Sequence, residues 1–205
     1  MELSREEAQR ALGEAQDATE RMRKTMTYGA AGPIITIWGV VWILGYVVAF
    51  LADRFTPHNR WFDPEHHWPI WVGWANVAWT ILIIGGILTS WLIGRKSPVQ
   101  SLQGKRLGFF WFLLFVFAEL WMVMLRPTNP YAVGAFIATI PMFGYVVMGL
   151  WMTGAFMVWI GASVSGAIFL IFCLLAGSPW MWLWLAVFGG GSLTASGLYI
   201  WRKSR

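Results

Sequence analysis

Residues 127–201 read PTNPYAVGAFIATIPMFGYVVMGLWMTGAFMVWIGASVSGAIFLIFCLLAGSPWMWLWLAVFGGGSLTASGLYIW and hold no Asp, Glu, Lys, Arg or His. Crossing a hydrocarbon core takes about 20 helical residues. Residues 131–175 as one helix would measure about 67 Å at a rise of ~1.5 Å per residue, twice the bilayer core. The stretch must therefore break, and Met152-Thr153-Gly154 is the best place. Ala176-Gly177-Ser178-Pro179 sets the next turn, because Gly and Pro interrupt apolar helices. Spans are thus predicted at 131–151, 155–175 and 180–201.

Working back toward the start, Arg126-Pro127 closes an apolar run over 107–125, and Arg95, Lys96, Lys105 and Arg106 mark a basic loop before it. A span over 68–94 is opened by Trp68, Trp71 and Trp74, and a polar loop, residues 53–67, separates it from a charge-free span over 30–52. Pro33 is tolerable there, since first-turn N–H groups lack helical partners. The predicted fold class is all-α: a polytopic membrane protein, a six-transmembrane-helix bundle preceded by a cytoplasmic amphipathic helix. Residues 1–27 form that helix region and 28–205 the membrane domain.

Composition agrees. Of 205 residues 58% are hydrophobic and 12% charged, against about 25% charged in soluble domains. The net charge of +5 does not point to nucleic acid, because the basic residues flank apolar segments and no nucleic-acid motif is present. With the N-terminus inside, twelve of the fifteen basic residues fall on inner segments; only Arg54, Arg60 and Arg126 fall outside. An even number of spans is needed to bring both basic ends to one side, which favours the break at Thr153 and cytoplasmic termini. The expected location is a bacterial-type inner membrane or a plasma membrane. The N-terminal residues lack the apolar region of a signal peptide, so the first span is expected to serve as its own signal. Of the sixteen tryptophans, Trp68, Trp71, Trp121, Trp180 and Trp182 mark one predicted boundary and Trp91, Trp111, Trp151 and Trp201 the other.

Residues 3–27 read as a helix. Ser4 and Glu7 fit a capping box. Ala8, Ala11, Ala15, Ala18, Met22 and Thr25 repeat at heptad spacing beside Leu12 and Met26. One reading is a solvated extension of the first span. The other is a short coiled coil, residues 4–27, that docks a protein partner or a second copy. So small a seam is marginal alone.

Several chemistries are excluded by residue supply. His58, His66 and His67 all lie in the first outer loop, leaving no intramembrane axial ligands for haem. Ser163 and Ser165 have no intramembrane base for a serine protease. Cys173 is the sole cysteine, so no self-contained dithiol exists. No span carries a lysine for a Schiff base. No cofactor is expected. His58, Asp63, Glu65, His66 and His67 supply zinc-type donors, but their spacing matches no metal signature and a solvated loop is the plainer reading.

What remains is sparse. Gly161, Ser165, Gly166 and Gly190 belong to small-residue clusters that let helices approach closely, within the bundle or between copies. Gly45-Tyr46-Val47-Val48 recurs as Gly144-Tyr145-Val146-Val147; four matches arise readily by chance in so biased a composition, and an inverted repeat is the lesser reading. Pro141 removes a backbone donor and predicts a kink. Glu119 is the one acid within a span, and intramembrane acids default to functional candidates. Asn76 lies at similar depth, and Arg126 is seven residues on along roughly the same face. The expectation is a lipid-embedded regulatory or scaffold subunit, not an enzyme, that interacts through its N-terminal helix. The alternative is a small proton- or lipophilic-cation-coupled transporter, with Glu119 titrating and Trp38, Trp42 and Trp79 as cation–π walls.

Overall fold

The computed structural model describes residues 9–17, 31–55, 74–96, 102–125, 129–151 and 155–204, all but a short turn of which are helical. After the helical segment 9–17 come α1 (Ala31–Phe55), α2 (Trp74–Lys96), α3 (Leu102–Leu125), α4 (Pro130–Trp151) and α5 (Ala155–Leu175). The sixth span is a continuous rod made of α6 (Trp180–Leu185), a π-helical turn π1 (Ala186–Gly191) and α7 (Ser192–Ser204). Among the described residues, six helices are long and apolar enough to cross a membrane. The chain is an all-α, multi-pass integral membrane protein.

Most expected spans reappear with small differences at their ends. α1 runs on through Asp53 and Arg54, and α3 starts at Leu102, ahead of the basic pair Lys105-Arg106. Helical hydrogen bonding does not stop at the hydrocarbon edge, so polar residues prolong the rods. Residues 68–73, expected to open the second span, lie outside the described residues. Among the described residues α4 runs to Trp151 and α5 from Ala155, and the break expected at 152–154 lies outside them. α4 opens with Asn129, whose Oδ1 accepts from the Tyr131 N–H at 2.9 Å and more weakly from that of Ala132 at 3.4 Å. Pro130 occupies the first helical position, where its missing N–H costs nothing. α4 runs unbroken through Pro141. Gly177, at φ 94°, turns the chain between α5 and α6 in a conformation that side chains disfavour.

α1, α4 and the sixth span hold most of the buried residues described, while α2, α3 and α5 flank them and bury few of theirs. The closest approach joins α1 to the sixth span, and one pattern appears twice: Gly32-x3-Thr36-x2-Gly39 and Gly190-x3-Thr194-x2-Gly197. The helices run antiparallel, so Gly32 meets Trp201, Gly39 meets Thr194, Gly190 meets Ile43, and Gly197 meets Thr36. A Cβ on Gly32 would lie 2.7 Å from the Trp201 backbone N, and one on Gly190 at 2.7 Å from that of Ile43. Only glycine permits such contact. Thr36 and Thr194 turn their hydroxyls back onto the carbonyls of Gly32 and Gly190, each at 2.9 Å. The beginning of α1 and the end of α7 therefore share one end of the bundle.

Candidate functional site

At the other end, α1 delivers Asp53 to the heads of α4 and α6. Its Oδ2 accepts from the Tyr131 hydroxyl at 2.6 Å and from the Trp182 indole N–H at 2.9 Å. These are short, charge-assisted bonds, and they tie three spans together. The rings continue the tie. Trp182 stacks between Tyr131 (centroids 5.4 Å apart) and Tyr46 (6.2 Å), and its ring edge fills the space that Gly134 leaves by having no Cβ. The Tyr46 hydroxyl, wholly buried, donates to the Gly134 carbonyl at 3.0 Å.

Deeper along α1 the aromatic cluster spreads toward α2. Trp79 meets Tyr46 and Trp42 edge-on at 5.6 and 5.8 Å and seats its ring on Gly45. Trp38 stacks on Phe115 of α3, 6.3 Å away. The aromatics expected to wall a cavity thus pack on one another and on core neighbours; Trp42 is 4% exposed. Among the described residues, three buried polar atoms find no hydrogen-bond partner: Trp79 Nε1, Ser90 Oγ and Tyr145 Oη.

The repeated Gly-Tyr-Val-Val stretch has a packing counterpart in both copies. Gly45 seats Trp79 and Gly144 seats Trp111, while Tyr46 and Tyr145 are buried. The seated tryptophan comes from the following helix in the first case and the preceding one in the second. One packing device used twice accounts for the echo without an inverted repeat.

The remaining sequence candidates are dispersed. Glu119 lies on an exposed face of α3 and, among the described residues, has no hydrogen bond or ion pair. The Asn76 side chain and Arg126 lie outside the described residues, as do His58, Asp63, Glu65, His66 and His67. Among the described residues no three His, Cys, Asp or Glu side chains gather as a metal site would require. Gly161 packs against the Met142 carbonyl and Val146, and Gly190 against α1. Gly166 is exposed and a Cβ there would meet nothing within 4 Å. Ser165 is half-buried. Trp182, expected at the span boundary, lies near the head of α6 and is buried against the other spans, where Asp53 satisfies its N–H and Gly134 makes room for its ring.

Asp53 is what sequence reasoning missed. In the sequence it opens a polar loop, and its donors sit 78 and 129 positions away. The one available signal was an acid directly following a charge-free span, with Tyr131 and Trp182 opening two others. A carboxylate whose donors and neighbouring rings are already engaged acts as a clasp. Searches of protein-family models, of curated proteins and of solved structures found no match to this chain.

Proposed function

We infer that this chain is a non-catalytic membrane subunit, regulatory or scaffolding, that presents its N-terminal helix to a partner protein. The observation that carries the reading is the exposure of every described residue in the 9–17 helix, including the apolar Leu12 at 62%. In the described part of that helix the apolar Ala11 and Leu12 face outward, as docking against another helix requires. The core supports a scaffold role as well: the α1–sixth-span contact is glycine-tight and the Asp53 clasp locks α1 to α4 and α6. Exposure of Glu119 runs against the transport alternative, in which the titrating acid faces the bundle interior.

The test is photo-crosslinking in intact cells from a reactive amino acid placed at position 12 of the full-length chain. A discrete adduct is expected, and Ala11→Glu should abolish it while leaving membrane insertion unchanged. No adduct, or the same adduct in Ala11→Glu, would remove the reading.

A further inference from the structure

A second exposed feature lies on α3. Phe109, Phe112, Val116, Glu119 and Val123 follow the alternating three- and four-residue spacing of a heptad seam. All five are exposed, Phe112 at 62% and Val123 at 68%. Leu114 and Ala118, which α3 packs against Ile140 of α4, are buried on another face. The seam therefore points away from the bundle, over about 21 Å of helix at ~1.5 Å per residue, and carries one carboxyl in its outward half. An acid facing hydrocarbon is costly and calls for a cation or a donor.

We propose that this seam docks a transmembrane helix of a different protein bearing one Lys or Arg at the depth of Glu119. Charge decides the occupant. No span of this sequence carries a basic residue in its interior, so a second copy would set Glu119 against Glu119, whereas a basic partner neutralises it. A single polar seam position also fixes register and partner choice, at some cost in stability. The proposal rests on the reading of the chain as a partner-binding subunit and adds where in the bilayer a partner is held.

The experiment reconstitutes the full chain in phosphatidylcholine vesicles with synthetic Leu/Ala transmembrane peptides and reads association by fluorescence transfer. One peptide carries a single Lys at the matching depth; its control carries Leu there. The Lys peptide should associate about tenfold more tightly. Glu119→Gln, an exposed and shape-conserving change, should erase most of the difference at unaltered thermal stability. Leu12→Glu should preserve it, which separates this seam from the N-terminal helix. Equal binding of both peptides, or an unchanged preference in Glu119→Gln, overturns the proposal. So does a preference that emerges only in Arg126→Gln, for Arg126 would then already satisfy the acid. Glu119-dependent self-association of the chain without peptide overturns it in favour of a second copy.

Discussion

Asp53 gives one oxygen to two donors from two other spans, so its removal is felt in three helices at once. Hydrogen bonds to a charged group contribute about 1.5–3 kcal/mol net. Tyr131 is half-buried and can turn its hydroxyl to water, whereas the Trp182 ring is fixed between two others. Asp53→Ala should therefore destabilise the bundle by about 1–3 kcal/mol, chiefly through Trp182. Asp53→Asn keeps an acceptor and should lose less than half of that. Thermal unfolding in detergent distinguishes them, and equal melting of Ala, Asn and parent would show that the clasp contributes nothing. No spacing rule foretells such a site, because tertiary structure alone brings three span ends together. Glu119 was legible for the opposite reason, since an acid amid uncharged residues stands out in one dimension.

Among the elements, spans were easy to read and their faces were not. The break expected at 152–154 comes from length and charge parity alone, whereas the Asn129 cap ahead of Pro130 is seen only in the structure. Uniformly apolar helices conceal which side meets protein and which meets lipid, because Leu, Ile and Phe serve both. The Gly-x3-Thr-x2-Gly pattern is present twice in the sequence, yet it gains meaning only when the helices lie antiparallel. The π turn is hidden too: Gly189-Gly190-Gly191 is compatible with an ordinary helix, and only the structure shows Gly190 within the turn abutting Ile43 of α1. The glycines divide into two kinds with opposite expected responses. Gly39→Val forces a side chain into Thr194 and the Gly190 carbonyl, and Gly197→Val does the same at Thr36 and Gly32. Each should cost about 1–3 kcal/mol or more by overpacking. Gly166→Val meets open space and should leave melting in detergent unchanged or slightly raised, since glycine is a poor helix former. Equal effects at Gly39 and Gly166 would deny the close antiparallel contact.

At the scale of the molecule, a glycine-tight antiparallel pair forms the centre, α4 is clasped to it, and α2, α3 and α5 lie outside. The arrangement constrains topology independently of charge. Gly32 abuts Trp201, so the start of the first span and the end of the last must face the same compartment. Only an even number of crossings allows that, and the six apolar helices meet the condition. The expectation that this compartment is the inner one rests on the basic residues, twelve of fifteen of which fall on segments the sequence assigns to that side. In a Cys173→Ala background, Arg60→Cys should react with a membrane-impermeant maleimide added outside, while Gln100→Cys and Ser204→Cys should react only after permeabilisation. If Gln100→Cys and Ser204→Cys react from outside and Arg60→Cys does not, the bundle stands and its orientation is inverted. If Ser204→Cys reacts from outside together with Arg60→Cys while Gln100→Cys stays protected, one crossing is missing. The Gly32–Trp201 contact then fails with it, because residues on opposite sides of a bilayer cannot touch.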